Sequence, residues 1–310
     1  MKNNLNNKPN VITIMKTYNG SKYIVAQIDS IMAQNEINNY LYISDDGSTD
    51  GTIDKIFELK KKYKNIFLVH NHQGEGPAQG FLNLVKYIID TVEIADYYIA
   101  YSDQDDIWYP NKLSTAVQTL KDKKADLFLS TYDVFRDGKK KIRNMGYDIP
   151  ITVDRILAYW APSGNVFVFT KRLAQTIAQT SPSKMRMHDF WTLLVATSVG
   201  FDIVAIDRPL LMYRLHENNT VGLEKIGFSY FKKLYLSARE DRNIRSHQAV
   251  DILNEKNLKL ENDETRFLLE KFANYRDSFQ NRIALSKLQI SGMNKLQKIL
   301  FKISVITGVF

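Results

Sequence analysis

The sequence of 310 residues lacks several features, and each absence excludes a class of protein. It has no cysteine, which excludes disulfide scaffolds, thiol nucleophiles and cysteine-ligated zinc. It has no run of about 18 apolar residues, so no membrane-spanning helix is predicted. The first ten residues are polar and rich in asparagine, without the apolar core of a signal peptide. A composition of 44% hydrophobic and 25% charged residues is ordinary for a folded soluble protein. Because cysteine, the core of a signal peptide and a membrane-spanning run are all absent, we expect it to be cytoplasmic.

Short apolar runs alternate with helical patterns in the first half of the chain. The runs that predict strands are residues 11–15, 41–43, 66–69, 97–100 and 126–135. This alternation is typical of an α/β fold whose parallel or mixed sheet is covered by helices. No strand is predicted after Asp207. The last part of the chain predicts helices at residues 228–239, 242–254 and 263–272, and in the turns before Phe310.

Acidic turns follow two of the predicted strands. Asp45 and Asp46 follow the second strand, and residues 103–106 (DQDD) follow the fourth. Ligands of open α/β sheets bind outside the carboxyl ends of the strands. One acidic turn alone would be ordinary turn chemistry, but two make a polyanionic crevice that a cation or a hydrogen-bonding ligand would stabilise. Carboxylates two residues apart suit Mg²⁺ or Mn²⁺, ions that commonly bridge to substrate phosphates.

A glycine-rich stretch, residues 74–80 (GEGPAQG), precedes a predicted helix. It predicts a loop near a helix N-terminus that packs, with Gly76, against a donor sugar or its phosphates. The alternative is an ordinary loop before a helix that starts with proline. The spacing is not that of a P-loop, so ATP hydrolysis is not predicted.

Five segments, in order, resemble those of family 2 glycosyltransferases. They are residues 11–20 (VITIMKTYNG), 44–50 (SDDGSTD), 101–108 (YSDQDDIW), 187–191 (MHDFW) and 209–219 (PLLMYRLHENN). The resemblance implies an α/β fold of the GT-A type, a Rossmann-like mixed sheet with flanking helices, plus a C-terminal helical region. The expected domains are a glycosyltransferase domain over 1–222, with a nucleotide-sugar half (1–110) and an acceptor half (111–222), and a helical region over 223–310.

The resemblance assigns donor-binding roles by position. Thr17 and Tyr18 match the stretch that flanks the nucleotide base. Asp46 matches the carboxylate that accepts a hydrogen bond from N3 of uracil or thymine, and a carboxylate suits that donor because an ionised carboxylate only accepts. Lys16 departs from the small residue expected there, and it either contacts phosphate or points to solvent.

A metal site is implied in the same way, with Mn²⁺ or Mg²⁺ as the cofactor. Asp105 matches the principal metal ligand, and Asp103 matches a position near the sugar or ribose that also lies within reach of the metal. His216 matches a position that, in related enzymes, reaches the metal or the diphosphate.

The resemblance also implies an acceptor side. Asp189 matches the catalytic base of an inverting transferase, and the alternative is an N-cap for the helix that follows it. His188 and Trp191 flank this residue, and the Trp191 ring could stack on a sugar. Trp160, with residues 163–165, is a further candidate for the acceptor pocket, or else a packing residue.

Positive charge is concentrated near the end of the chain. The net charge is +8, and no acidic residue follows Asp277. Drawn as a helix, one face holds the apolar residues Leu296, Ile299, Leu300, Ile303, Ile306 and Phe310, beside Lys295, Lys298 and Lys302. Over residues 278–310 the pattern is typical of an amphipathic helix attracted to anionic lipid. The alternatives are a packed helix and a homodimer contact, and nucleic acid is not an expected partner because the crevice is acidic.

These features predict an inverting, metal-dependent glycosyltransferase of cell-surface glycan synthesis, peripheral on the inner face of the plasma membrane. It would move one sugar from a dTDP- or UDP-sugar to a lipid-linked or polysaccharide acceptor. The closing motif resembles that of rhamnosyltransferase-like members, which favours dTDP-L-rhamnose. The Gln-x-x-Arg-Trp motif of processive members is absent, which favours transfer of a single sugar. The alternatives are a UDP-hexose transferase (glucose, galactose or GlcNAc) and a non-catalytic nucleotide-sugar binding protein.

Overall fold

A computed structural model of the protein describes residues 8–69, 76–136, 139–142, 145–215, 244–308 and 310. The chain forms two compact units. The first comprises Met1–Met145, Pro162–Ala178 and Phe201–Arg214, and the second comprises Gly146–Ala161, Gln179–Gly200 and Leu215–Phe310. The units therefore alternate along the chain, whereas the sequence predicts one boundary near residue 222. The helix predicted at 228–239 and the candidate ligand His216 lie outside the described residues.

A mixed sheet forms the centre of the first unit. Its strands are β1 (Asn10–Thr17), β2 (Asn38–Asp45), β3 (Ile66–Leu68), β4 (Tyr98–Ser102), β5 (Ile107–Trp108), β6 (Leu127–Arg136), β7 (Lys139–Ile142), β8 (Val168–Thr170) and β9 (Ile203–Arg214). The strand order is β3-β2-β1-β4-β8-β6-β9-β5, and β7 pairs with β6. Strands β3, β2, β1 and β4 are parallel, whereas β8 is antiparallel to both β4 and β6. The predicted α/β fold class is confirmed.

Helices follow the strands as the alternation predicts. The first unit holds α1 (Ile24–Met32), α2 (Thr52–Lys62), α3 (Gly76–Thr91), α4 (Lys112–Lys123) and α6 (Lys171–Ala178), and the second holds α5 (Val153–Ala158), α7 (His188–Val199), α8 (Ile244–Asn254), α9 (Asp263–Ala273), α10 (Phe279–Ser286) and α11 (Lys295–Thr307). Strands β1 and β4 are buried along almost their whole length, as expected of strands whose two faces are covered by helices. Accordingly Ile12, Leu41 and Ile99 have no exposed surface.

The prediction that no strand follows Asp207 is wrong, because β9 continues to Arg214. Strand β9 pairs in parallel with β6, and the register jumps where Ser130 is opposite Ile206 and Thr131 is opposite Pro209. The polar residues between those positions break the apolar alternation that a sequence pattern relies on. A bulge of this kind bends a strand without ending it, so pairing resumes beyond it.

The carboxyl ends of β1, β2 and β4 meet at one place. The chain runs from β1 outward to β2 and β3 and then returns to β4 on the other side of β1, which makes the boundary between β1 and β4 a topological switch point. In register, Thr17 is opposite Asp45, and Met15 is opposite Ser102. The two predicted acidic turns therefore emerge on either side of the end of β1, at the position where α/β sheets bind ligands.

The second unit ends in a helix with two different apolar faces. On α11, Phe301 and Val305 are buried, and the Phe301 ring lies 5.1 Å from the ring of Phe310. Phe310 therefore packs inward and does not belong to the outer face on which the helical drawing puts it. The five remaining apolar residues of that face, Leu296, Ile299, Leu300, Ile303 and Ile306, are exposed. No helix among the described residues is long and apolar enough to cross a bilayer.

Replacing Gly200 with alanine tests how tightly the end of α7 is packed. Gly200 has φ +82°, and a Cβ atom there would lie 2.7 Å from Cγ of Glu261. We expect the free energy of unfolding to fall by about 2 kcal/mol, because a left-handed alanine costs roughly 1 kcal/mol and Glu261 must also move. Gly51→Ala is the matched control, since its φ is +87° and no described atom would lie within 4 Å of the added Cβ. Urea unfolding measures both variants, and equal losses would contradict the contact with Glu261.

Candidate functional site

The end of β1 carries two predicted donor-binding residues in different environments. Thr17 is buried, and its hydroxyl donates to Oδ1 of Asp45 over 2.7 Å. The other oxygen of Asp45 accepts the backbone N–H groups of Gly47 and Ser48. Thr17 therefore stabilises the turn after β2. Tyr18 is 59% exposed, so its ring is the one that a ligand can reach.

Asp46 lies just beyond β2, and its carboxylate accepts hydrogen bonds from two groups. Nζ of Lys16 lies 3.2 Å from its Oδ1, and the backbone N–H of Gly76 donates to its Oδ2 over 3.0 Å. Nζ of Lys16 also donates to Oγ of Ser44 over 3.1 Å, and only 5% of the Lys16 side chain is exposed. The structure thus brings together Asp46 and Gly76, two residues predicted to bind the nucleotide-sugar donor. It also places Lys16 in an ion pair, which contradicts the solvent-facing alternative.

Gln104 joins the loop after β4, residues 103–106 and here called the acidic loop, to the end of β1. Its side-chain amide accepts the backbone N–H of Tyr18 and donates to the Tyr18 carbonyl, each over 3.0 Å. A Cβ atom at Gly20 would lie 2.2 Å from Oε1 of Gln104, so glycine is required for this approach. The sequence patterns do not indicate Gln104. The available signal is its place between Asp103 and Asp105, because alternate residues of an extended chain point to opposite sides.

A buried network of charged and polar groups supports the acidic loop. Asp106 has no exposed surface, and its Oδ2 accepts from Nδ2 of Asn165 over 2.5 Å. Burial and the charge of Asp105 raise the pKa of Asp106 to about 7. Lys112 is also fully buried and donates to the carbonyl of Asn165 over 2.5 Å. Burial lowers the pKa of Lys112. Asn165 therefore anchors the acidic loop from within the sheet unit, and the expectation that it lines an acceptor pocket is wrong because it is 1% exposed.

The end of β9 reaches the same loop. The side chain of Arg214 donates from Nε to the carbonyl of Asp105 over 3.1 Å, and its backbone N–H donates to Asp106 over 3.4 Å. Its guanidinium also lies 5.1 Å from the centroid of the Tyr23 ring. The last strand of the sheet therefore fixes the backbone of the acidic loop, a role for Arg214 that the sequence patterns do not indicate.

Asp103 and Asp105 are the described residues that could hold a metal ion. Both are partly exposed, in the same short loop. No group of three or more His, Asp or Glu side chains in the described ranges is arranged to hold a metal. Mg²⁺ bound to a phosphate substrate commonly uses only one or two protein carboxylates, with substrate oxygens and water completing the shell. The oxygen donors of this pair therefore fit such an ion.

In the second unit, Asp189 lies in the first turn of α7. The N-cap of that helix is Met187, so the N-cap alternative for Asp189 is wrong. Oδ1 of Asp189 accepts the backbone N–H of Phe190 over 2.6 Å. The positive end of the helix dipole stabilises a carboxylate there. Asp189 is partly exposed, so an acceptor hydroxyl could reach it.

Burial removes two of the expected acceptor residues from the surface. His188 is 4% exposed, and burial lowers its pKa to about 3, so the imidazole is neutral near pH 7. Trp191 is 1% exposed, and its indole N–H donates to Oγ1 of Thr180 over 2.9 Å. Neither ring has a free face for a sugar, so both act as core residues of the second unit. Trp160 is partly exposed, with the Arg155 guanidinium 4.1 Å from its ring centroid.

The comparison with protein families matches residues 12–179 to glycosyl transferase family 2. The chain belongs to this family. The match spans more than half of the chain and includes β1, β2, β4 and the acidic loop. It confirms the prediction that the protein is a glycosyltransferase.

Two bacterial relatives act on different donors, according to their names. The chain is 28% identical over 232 residues to dTDP-rhamnosyl transferase RfbG of Shigella flexneri, covering 72% of this chain and 78% of the relative. It is 29% identical over 127 residues to UDP-Glc:alpha-D-GlcNAc-diphosphoundecaprenol beta-1,3-glucosyltransferase WfgD of Escherichia coli. That match covers 41% of this chain and 47% of WfgD.

Solved structures share the fold at low identity. TarS of Staphylococcus aureus, in complex with UDP-GlcNAc, aligns with a TM-score of 0.57 and 19% identity over 97% of this chain and 82% of that one. The mannosyltransferase PcManGT of Pyrobaculum calidifontis, in complex with GDP-Man and Mn²⁺, aligns with a TM-score of 0.55 and 15% identity over 98% and 81%. These likenesses, with the family match, confirm the predicted GT-A fold.

Replacing Gln104 with alanine should weaken binding of the donor nucleotide. The change removes both hydrogen bonds to the Tyr18 backbone, each worth about 1 kcal/mol, and we expect the affinity for UDP to fall by up to about 30-fold. Calorimetric titration with UDP and Mg²⁺ measures the loss. Gln118→Ala is the control, because its side-chain amide makes an exposed hydrogen bond to Asp122 on α4. If the two variants bind UDP equally well, Gln104 does not position the donor site.

Proposed function

We propose that this protein is an inverting, metal-dependent transferase that moves one sugar from a dTDP- or UDP-sugar to a lipid-linked or polysaccharide acceptor. The observation that carries the donor assignment is the meeting of Tyr18, Asp46 and the acidic loop at the switch point of the sheet. The Gln104–Tyr18 hydrogen bonds and the contact of Asp46 with Gly76 support it. An aromatic ring, an acceptor carboxylate and a metal-binding loop are the groups that a nucleoside diphosphate requires.

In this proposal each donor-site residue has one task. The exposed Tyr18 ring stacks on the base, and Asp46 accepts the ring N–H of uracil or thymine, which cytosine lacks. Asp103 and Asp105 would hold Mn²⁺ or Mg²⁺, and His216 remains a predicted further ligand. The bound ion would neutralise charge that develops on the leaving diphosphate. The Mn²⁺ in the complex of PcManGT supports the choice of cofactor.

Asp189 is the proposed base. It takes the proton of an acceptor hydroxyl while that oxygen bonds to the anomeric carbon and the bond from this carbon to the diphosphate breaks. Its place in the first turn of α7 suits a carboxylate, since the positive end of the helix dipole interacts favourably with a negative charge. Trp160 is the proposed aromatic contact for the acceptor, since it keeps exposed surface.

For the sugar we propose L-rhamnose. The similarity to the dTDP-rhamnosyl transferase RfbG, which covers 78% of that relative, supports this choice. The resemblance of the closing motif, residues 209–219, to that of rhamnosyltransferase-like members supports it as well. The shorter match to the UDP-glucosyltransferase WfgD supports the UDP-hexose alternative and the lipid-linked acceptor. Shifts in melting temperature with dTDP-rhamnose, UDP-glucose, UDP-galactose and UDP-GlcNAc separate the donors.

Asp189→Asn should abolish most of the transfer without weakening donor binding. We expect kcat to fall by about 10²- to 10⁴-fold, the usual contribution of a general base. The assay is the release of dTDP or UDP with Mn²⁺ and a polyprenyl-diphosphate-linked GlcNAc acceptor. Asp263→Asn is the matched control, because Asp263 also lies in the first turn of a helix of the second unit.

Near wild-type transfer by a folded Asp189→Asn variant would contradict the assignment of Asp189 as the base. Asp105→Ala should instead lower the affinity for the donor when metal is present. A wild-type protein that binds a donor, yet neither hydrolyses nor transfers it with any acceptor, would support the non-catalytic alternative.

We further propose that α11 docks the protein on an anionic membrane surface at the inner face of the plasma membrane. Its five exposed aliphatic residues span an arc of about 120° around the helix. The Leu296 and Ile303 side chains are 65% and 55% exposed, which costs free energy unless a ligand or partner covers them. Lys295, Lys298 and Lys302 are exposed beside this arc, and no acidic residue lies in residues 278–310. Aliphatic side chains flanked by lysines match an anionic lipid surface.

Changing these three lysines to glutamine should weaken binding to vesicles of phosphatidylglycerol and phosphatidylcholine. Each lysine contributes about 1 kcal/mol near an anionic surface, so most of the bound fraction should be lost. The matched control changes Lys121, Lys123 and Lys124, which are exposed at the end of α4. Co-sedimentation measures binding, with vesicles of phosphatidylcholine alone as a second control. Equal sedimentation of the two triple variants, or a dimer in solution that α11 substitutions dissociate, would contradict the membrane proposal.

A further inference from the structure

Lys16 and Asp46 form a largely buried ion pair at the proposed nucleotide site. Only 5% of the Lys16 side chain and 13% of the Asp46 side chain are exposed, and Nζ lies 3.2 Å from Oδ1. A buried lysine needs a partner of this kind, because an unpaired buried charge is strongly destabilising. Lys16 lies on β1 and Asp46 just past β2, so the pairing of these two strands brings the charges together.

Helix α3 leaves room for this lysine. A Cβ atom at Gly80 would lie 2.5 Å from Cε of Lys16 and 2.9 Å from Nζ. The backbone of α3 therefore packs directly against the end of the lysine side chain. The first residue of the same helix, Gly76, donates to the other oxygen of Asp46. Both oxygens of the carboxylate are thus held, one by an ammonium group and the other by a backbone N–H.

The ion pair offers a ligand one hydrogen-bond acceptor, on Asp46, and one hydrogen-bond donor, on Lys16. A neighbouring ammonium favours the ionised form of Asp46, and an ionised carboxylate only accepts hydrogen bonds. A base edge that meets Asp46 must therefore bring an N–H group. An ammonium has three donors, and within the described residues Lys16 uses two of them, to Ser44 and Asp46. Acceptor and donor side by side match an N–H next to a carbonyl, as in uracil and thymine, and oppose cytosine at both positions.

We propose that Lys16 is a positioning residue that sets the base specificity of the donor site, because it fixes Asp46 as an acceptor and adds a donor beside it. This inference rests on the proposed function, since it requires a nucleotide at this edge of the sheet. It deepens that function by assigning to Lys16, and not to Asp46 alone, a part in discriminating uracil and thymine from cytosine.

The test compares UDP with CDP, two ligands of equal size that differ at the base edge. Calorimetric titrations use the full chain with Mg²⁺. Wild type should bind UDP at least about 100-fold more tightly than CDP, because two reversed hydrogen bonds leave buried groups unpaired. Lys16→Met keeps the aliphatic stem beside Gly80 and removes the ammonium, so the UDP/CDP affinity ratio should fall at least about tenfold. Lys62→Met is the matched control, since it breaks a Lys–Asp pair, with Asp29 on α1, and should leave the ratio unchanged.

A second variant protects the test against misfolding. Gly80→Ala keeps the ammonium but displaces it from Asp46, and it too should lower the UDP/CDP ratio. If both variants fold and keep the wild-type ratio, Lys16 has only a packing role and the inference is overturned, while binding of UDP leaves the proposed function intact. If wild type binds neither nucleotide, the proposed function itself fails. A merely structural role of Lys16 would lower the affinity for both nucleotides equally and leave the ratio unchanged.

Discussion

The parallel pairing of β1 with both β2 and β4 is the constraint on which the site depends. It sets Thr17 opposite Asp45 and Met15 opposite Ser102, so the loops that leave all three strands begin at the same edge. The contacts made at the ends of these strands depend on that register, because a slip by one residue would turn each side chain to the other face of the sheet. Residues far apart in sequence, such as Tyr18 and Gln104, can then share two hydrogen bonds.

Two buried lysines close to this edge of the sheet are the second constraint on the donor site. Lys16 and Lys112 are both buried, Lys16 beside Asp46 and Lys112 near the charges of Asp103 and Asp106. Taking an ammonium group out of water costs several kcal/mol, which apolar residues of similar size would avoid. Such costly groups persist where orientation matters more than stability, as in active sites. Lys16 holds Asp46 directly, whereas Lys112 holds Asn165, whose amide in turn donates to Asp106 of the acidic loop. Groups fixed in this way before a ligand arrives lower the cost of ordering the site on binding.

Much of the fold and of the donor site can be predicted from the sequence, and the failures have physical causes. The strands β1, β2 and β4 are predictable because apolar runs and acidic turns depend on short-range patterns. The end of β9 is not, since a bulge interrupts its alternation. Gln104 and Arg214 act through backbone groups of other segments, and no local pattern records such long-range partners. The family resemblance aligns Trp191 with a catalytic segment, but it carries no information on whether a ring is buried.

The two faces of α11 show why a helical drawing alone cannot tell packing from docking. Phe301 and Val305 bury one side of the helix against its own unit, which is the common fate of an amphipathic helix. A helix packed in this way needs only one apolar face. The second, with Ile299 exposed and lysines beside it, has no role in that packing. An exposed aliphatic arc costs solubility, whereas the lysines along its edge would do little for a hydrophobic contact between two copies of the chain, because like charges repel. An anionic lipid surface would accommodate both features at once, and for this reason the second face of α11 supports the proposed docking on a membrane better than it supports a contact between two copies of the chain.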